Sequence, residues 1–437
     1  MKLRRLDHTD AAALERWLRA SRREHERALE IVAPIVAQVR RRGDRALRHW
    51  TRKLEGRHLL LPGAVHKTAG AVAGEPLRYG REAMETAWLG LPAPLRRALR
   101  HAARNIDRMA GWQRPRAWRR AVEPGVWIGQ VLRPLQLVGC YIPGGRHPLP
   151  STLLMTALPA RRAGVGRVLA VCPAPSPVVL GAAWLAGVEA LYAIGGAQAI
   201  AALAYGTESV PKVDKIVGPG NLYVTAAKQL VAHDCAIDFP AGPTEVLWLA
   251  GADAPPAAVA ADLLAQAEHD PHAAAWLLTP SRALARRVEA ELERQLADLP
   301  QPNRNVAARA LARRGAVLLT RNLAQAAELA NRLAPEHITV PAGWENRVRN
   351  AGSIFAGAHA PQAVGDYMSG ANHVLPTAGL ARLRGGLSVY DFLKIITVQE
   401  LTSAGLARLA PDIAVLARAE GLEAHARSVE LRAGGRR

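Results

Sequence analysis

The chain has 437 residues, 49% of them apolar, which is enough for two or more packed cores because single cores rarely grow past roughly 250–300 residues. Lys and Arg outnumber Asp and Glu by 57 to 37, a formal net charge of +20. No run approaches the roughly 18–20 apolar residues of a membrane span, and the N-terminus MKLRRLDHTDAAALERW lacks the apolar centre of a signal peptide, so a cytoplasmic protein is expected.

The positive charge does not point to nucleic acid. Arginine is concentrated in two helix-like regions, 1–120 and 281–314, where it is interleaved with Glu and Ala as on a solvated amphipathic face. Zinc-knuckle spacing and RNP-type aromatic motifs are absent from the sequence. Cys140, Cys172 and Cys235 stand apart from one another, which rules out a CxxC motif or a disulfide framework and leaves buried structural thiols.

Residues 9–55 read as helices, with a Gly43-Asp44 break inside RRGDRALRHW, and residues 81–112 continue in that style. From about residue 134 short apolar runs alternate with helical patterns: LQLVGCYIP, STLLMTALPARRAG, RVLAVCP, PVVLGAAWLAG, ALYAIGG, AQAIAALAYG and VDKIVGPG. A second set comprises EVLWLA, DLLAQAEHDP, AAWLLT, SRALARRVEAELERQL, AVLLT, LAQAAELANRLA and HITV. This βαβ rhythm predicts two α/β units with parallel sheets. The last 50 residues, LSVYDFLKIITVQEL followed by two helical stretches, are too few for a core of their own and need another surface, such as a partner subunit.

Glycine-rich turns fall at three strand-to-helix junctions, YIPGGRHPLPST (141–152), IGGAQAI (194–200) and VGPGNLYVT (217–225). Glycines there let backbone amides approach a pyrophosphate, but none of the turns matches GxGxxG, so ordinary tight turns remain an alternative. Four polar clusters contain histidine: Gln266 with His269, Glu336 with His337, Asp366 with His373, and Glu420 with His425. On a helix the residues i and i+3 project about 60° apart, so Gln266 and His269 can reach one point. Imidazole, carboxylate and amide oxygen suit a cation such as Zn²⁺, whereas a lone Gln/His pair is better served by local hydrogen bonding.

Taken together, VRRRGDRALRHWTRKLEG, GCYIPGG, GGAQAIAALAYGTESVPKVDKIVGPGNLYVTAAKQLV, DFPAGPTEVL, DLLAQAEHDP, APEHITV, GDYMSGANHVLPT and AEGLEAHARSVELR resemble the histidinol dehydrogenase family over nearly the whole chain. The resemblance implies a four-electron oxidation of L-histidinol to L-histidine through the aldehyde, using NAD⁺ twice and one Zn²⁺ per subunit, in a homodimer with shared sites. The zinc ligands it implies are Gln266, His269, Asp366 and His425, the last from the other subunit. Glu336 and His337 become the acid–base pair, with a neutral His337 as base for the alcohol and Glu336 activating water. NAD⁺ contacts fall on Tyr141, Gln198 and Asn221, and substrate contacts on Thr244, Gln266, His269, His337, Asp366, His373, Glu420 and His425.

By the same resemblance the chain divides into a helical segment 1–30, a discontinuous α/β domain 31–140 plus 244–385, a Rossmann-like NAD-binding domain 141–243 and a partner-packing tail 386–437. Thr244 stands where the family usually has serine and keeps the hydroxyl. Arg146 and His147 replace smaller residues beside the expected cofactor loop. An enzyme of the same fold acting on another amino- or sulfo-alcohol is the alternative, and the retained EGLEAH tail argues against it.

Overall fold

A computed structural model describes residues 4–7, 11–60, 75–144 and 148–434. Its first part contains β1 (Arg4–Asp7), α1 (Ala11–Glu55), β2 (Leu59–Leu60), β3 (Glu75–Pro76), β4 (Arg78–Tyr79), α2 (Arg81–Gly90), α3 (Ala93–Gln113), β5 (Trp118–Glu123) and β6 (Val126–Pro134). Next come β7 (Leu137–Tyr141), α4 (Pro150–Ala163), β8 (Arg167–Val171), α5 (Pro177–Leu185), β9 (Ala190–Tyr192), α6 (Gly196–Tyr205), β10 (Lys215–Val217), α7 (Leu222–Val231) and β11 (Ala236–Ile237). A second alternation runs through β12 (Glu245–Leu249), α8 (Pro256–Ala267), β13 (Ala274–Thr279), α9 (Arg282–Asp298), α10 (Asn303–Arg314), β14 (Gly315–Leu319), α11 (Leu323–Leu333), β15 (His337–Val340), β16 (Ser353–Ala356) and α12 (Gln362–Tyr367). The tail holds β17 (Leu393–Leu401), α13 (Ser403–Ala419) and α14 (Glu423–Ala433).

The two alternations build the same topology twice. One sheet has the order β11-β10-β7-β8-β9-β4, the other β1-β14-β13-β12-β15-β16. In each, the chain lays down three parallel strands in one direction and then crosses back to the far side of the first, so the order reverses between β7 and β10 and again between β12 and β15. The strands are apolar on both faces because both faces are covered. Val138, Cys140, Val168 and Ala170 pack with α2 to α5, and Leu137, Tyr141, Leu169 and Val171 pack with α1, α6 and α7. Val246 and Trp248 face α8 to α10, while Leu247 and Leu249 face α11.

The break predicted at Gly43-Asp44 is present: Gly43 has φ 49° and ψ −132° inside α1. The Asp44 carboxylate accepts from the Ser209 hydroxyl at 2.5 Å. Three placements differ from the sequence reading. Residues 4–7, assigned to a helical segment 1–30, form β1 and pair in parallel with β14, a contact that a four-residue charged strand does not announce. The boundary drawn between 140 and 141 falls inside β7. Finally, α1 to α3 of the 31–140 segment cover the β7 sheet and not the β12 sheet, since their apolar stripes match its faces.

The tail folds partly on its own chain. β17 pairs antiparallel with β6 across nine residues and β5 completes a three-stranded sheet. The α13–α14 pair shares only a small alanine cluster, Ala414, Ala417 and Ala426. Among the described residues no helix is long and apolar enough to cross a membrane.

The close approach of β7 and β10 at the reversal is made possible by Gly218, which has φ 118° and lies so near the Tyr141 carbonyl that an added Cβ would overlap its oxygen. Both the positive φ and the backbone clash penalise any side chain there. Gly218→Ala is therefore expected to cost about 2–4 kcal/mol, a drop of several degrees in the thermal midpoint. A midpoint unchanged within error would contradict this account of the turn.

Candidate active site

The pairing of β12 with β15 brings three sequence-predicted residues together. His337 opens β15 opposite Val246, so Glu336 and His337 lie beside Thr244 and Glu245 at the amino edge of that sheet. The Glu336 carboxylate accepts the Thr244 hydroxyl and the Glu245 backbone N–H, the latter at 2.8 Å. His337 Nδ1 lies 3.1 Å from the Glu245 carbonyl, which accepts only, so Nδ1 carries the proton and Nε2 faces outward. The ring stacks on Phe355 of β16 at 6.0 Å between centroids.

Two further stretches reach the same point. Asp366, on α12, has its carboxylate 3.8 Å from His337 Nε2 and 3.9 Å from His373 Nδ1. His373 Nδ1 also donates to the Asp366 carbonyl at 3.1 Å, leaving Nε2 to accept the Thr152 hydroxyl at 2.9 Å. Thr152 lies in the first turn of α4, so the carboxyl edge of the β7 sheet meets the amino edge of the β12 sheet here. The segment between β16 and β17 is fastened across this junction: Asn105 donates to the Met368 carbonyl and Asn372 to the Met155 carbonyl.

Gln266, in the last turn of α8, is buried and donates to Thr244 Oγ1, while its own oxygen accepts from Gln362 Nε2 at 2.7 Å. A continuous chain thus runs Gln362, Gln266, Thr244, Glu336. Sequence reasoning missed Thr152, Gln362 and Glu245. For Gln362 a signal existed, because it stands four residues before Asp366 and so shares its helix face.

His269 is not on the helix as expected. α8 ends at Ala267, and His269 sits in the following turn with its N–H on the Gln266 carbonyl at 3.3 Å and its ring exposed. Glu420 and His425 flank the α13–α14 turn and are exposed as well. Among the described residues no three His, Cys, Asp or Glu side chains of one chain form a ready metal-ligand group. The donor types nevertheless fit a borderline cation: two exposed imidazoles, one part-buried carboxylate and one amide oxygen.

The three expected cofactor residues lie on adjacent turns at the carboxyl edge of the β7 sheet. Tyr141 is buried and its hydroxyl accepts the Gly196 N–H at 3.1 Å. Gln198 is fully buried, with its Oε1 left without a hydrogen-bond partner. Asn221 caps α7, its side chain accepting from the N–H groups of Tyr223 and Val224. The helix N-termini and the orphaned Gln198 oxygen fit a dinucleotide. Arg146 and His147 lie outside the described residues.

Burial lowers the His337 ring, yet the Glu336 and Asp366 carboxylates outweigh it and raise the ring to about 9. The ring is therefore charged at neutral pH in this constellation, not neutral as the sequence reading expects. Burial holds His373 below its usual value.

Glu245 is fully buried, and burial raises it to about 7, with Arg314 opposing and Glu336 adding to the rise. Its Oε1 accepts from Ala378 N–H at 3.2 Å and its Oε2 has no hydrogen-bond partner. A carboxyl raised in the folded state contributes stability that is fully present below pH ~4.5 and lost as pH rises through about 7, here on the order of 3 kcal/mol. Glu245→Gln keeps the Ala378 acceptor and removes this dependence. Its stability relative to the parent is expected to rise between pH 5 and pH 8 by about 2–3 kcal/mol, read by unfolding midpoints. Parallel midpoint curves for the two proteins would contradict the assignment.

Comparison with known proteins places the chain in one family. The family model described as histidinol dehydrogenase matches residues 18–433. A histidinol dehydrogenase of Thermus thermophilus is 50% identical over 408 residues, covering 92% of this chain and 94% of that protein. One from Methanothermobacter thermautotrophicus is 43% identical, covering 98% and 99%. The crystal structure of histidinol dehydrogenase from Elizabethkingia anophelis superposes with a TM-score of 0.86 at 32% identity, covering 98% of each chain. This chain belongs to the histidinol dehydrogenase family, a family of NAD-dependent oxidoreductases.

Proposed function

We propose that the cluster around Glu336 and His337 oxidises L-histidinol to L-histidine in two successive NAD⁺-dependent steps, with zinc, at a site completed by a second copy of the chain. The observation that carries this reading is the convergence of Thr244, Gln266, Glu336, His337, Asp366 and His373, from separate stretches, on one junction between the two sheets. The buried, unpaired thiols suit the reducing cytoplasm, where we place the enzyme.

Gln266, His269, Asp366 and the partner subunit's His425 would hold the zinc. Bound there, the metal supplies a Lewis acid that fixes the substrate's nitrogen groups, and NAD⁺ supplies the hydride acceptor. His337 Nε2 is the atom aimed to take the alcohol proton, because Nδ1 is committed to the Glu245 carbonyl. That task needs the neutral ring. Asp366 helps to keep the ring charged, and its pull weakens when a cation takes up its carboxylate charge.

Glu336 is placed to receive the proton of the water that hydrates the aldehyde. Thr244 Oγ and Glu245 N–H point the carboxylate, and the Gln266 amide holds Thr244 in turn. Thr152 holds His373 in the tautomer whose Nδ1–H is donated to the Asp366 carbonyl, which fixes the backbone that carries that carboxylate.

The need for a second copy is supported by the tail. Ile395 and Ile396 of β17 are 49% and 45% exposed, and Val415, Leu416 and Leu431 are exposed still further. Such an apolar surface on an arm without a core of its own calls for cover. The turn that carries Glu420 and His425 is clamped by Arg418, which binds both Glu423 and Glu430 with paired hydrogen bonds.

With L-histidinol, NAD⁺ and Zn²⁺, the purified protein is expected to form close to two NADH per histidinol consumed, at an ordinary turnover of ~1–10³ s⁻¹. One NADH per histidinol, or turnover confined to a different alcohol, would overturn the reading.

A further inference from the structure

An acid outside the cofactor assignment supports the turn before α6. Glu55 closes α1, and its carboxylate accepts from Gln198 Nε2 at 2.8 Å and from Arg57 Nη1 at 3.0 Å, with the Gly195 N–H as a further donor. Arg57 also donates to the Ala193 carbonyl at 3.1 Å. The Glu55 side chain is 16% exposed, so it is not a solvated surface charge. Gly195, whose N–H donates to Glu55, lies against the ring of Pro173 just after β8, so the carboxylate sits by the end of β8 as well as under the turn after β9.

In a nucleotide-binding sheet of this strand order, the turn after the first strand faces the pyrophosphate. An acid at the end of the second strand accepts from the ribose 2′-hydroxyl, and an arginine takes its place when the cofactor carries a 2′-phosphate. Here the second strand, β8, runs out into Val171-Cys172-Pro173 and offers no such acid. Glu55 arrives at the same place from α1. Arg57, the cation suited to a 2′-phosphate, is engaged by Glu55 and by the Ala193 carbonyl.

We propose that Glu55 is a specificity-determining residue that selects a dinucleotide with a free 2′-hydroxyl over a 2′-phosphorylated one, performing from the end of α1 the task of the missing strand-end acid. The proposal rests on the NAD⁺ site of the preceding reading, though not on its substrate. The carboxylate can accept from a ribose hydroxyl, repels a phosphate dianion, and keeps Arg57 from pairing with one.

The test is Glu55→Gln, whose amide oxygen can still accept from Gln198 and Gly195 while the charge is gone. Calorimetric titration with 5′-AMP and with 2′,5′-ADP reads the preference without turnover, and the ratio of kcat/KM for NAD⁺ and NADP⁺ reads it in the reaction. The wild type is expected to prefer 5′-AMP. In Glu55→Gln both ratios are expected to move toward the 2′-phosphorylated compound by about tenfold or more, through its dissociation constant and KM, an effect the size of one lost charge repulsion.

Glu55→Asp, which keeps the charge, is expected to retain the wild-type preference, and the double variant Glu55→Gln/Arg57→Gln to lose the gain. An unchanged ratio in Glu55→Gln, or an equal shift in Glu55→Asp, overturns the proposal. A shifted 5′-AMP to 2′,5′-ADP preference in an enzyme that does not oxidise histidinol supports the proposal and removes only the substrate assignment.

Discussion

The parallel pairing of β12 with β15, with Val246 opposite His337, is the constraint on which the candidate site depends. Register in a sheet buried on both faces is set by its apolar pattern, and a slip of one residue would turn every side chain to the opposite face. In the observed register the backbone of Glu245 serves both members of the pair: its N–H orients the Glu336 carboxylate and its carbonyl sets the tautomer of His337. Side chains fixed by main-chain atoms of a core strand are held more rigidly than groups carried on loops. The buried Glu245 carboxyl and the Gln362–Gln266–Thr244 chain extend this frame outward to the part of the site where a cation is expected.

The two sheets have complementary duties. The β7 sheet offers its carboxyl edge, as the general rule for nucleotide-binding α/β units anticipates, and its glycine turns are knit to one another by the Tyr141–Gly196 hydrogen bond and the Gly218 contact. The β12 sheet repeats the same strand order yet presents its amino edge to the site. The segment 362–392 joins them, bound to the β7 unit through Asn105, Asn372 and the Lys215–Asp391 ion pair while it delivers Asp366 and His373. Apart from this junction, His269 lies in an exposed turn, and Glu420 and His425 sit on a thinly packed helical arm.

Much of the fold was legible because continuous apolar runs such as EVLWLA and HITV bounded by turns have few other readings, and each became a buried strand. What periodicity could not supply was pairing between distant segments. RRLD carries no strand signal of its own and depends on β14, and the covering of the β7 sheet by α1 to α3 is a matter of tertiary fit. Of the site residues, Gln266, Glu336, His337, Asp366 and His373 were visible as polar clusters and Thr244 was added by the family resemblance, and these six meet in space. The end of α8 was misjudged by two residues, which moved His269 from helix to turn. Glu55 and Glu245 were invisible for a physical reason: in sequence an acid reads as a solvated charge, and only packing reveals that Glu55 is partly and Glu245 fully buried against polar partners.

In the proposed site one subunit gives the acid–base pair and another gives the tail residues. The most direct measurement is the activity of co-expressed His337→Asn and His425→Ala chains, each inactive alone. In a symmetric dimer with exchanged tails, each mixed dimer contains one site with both defects and one with neither, so statistical pairing predicts recovery of about a quarter of wild-type activity. No recovery, with mixed dimers demonstrably present, would contradict the shared site.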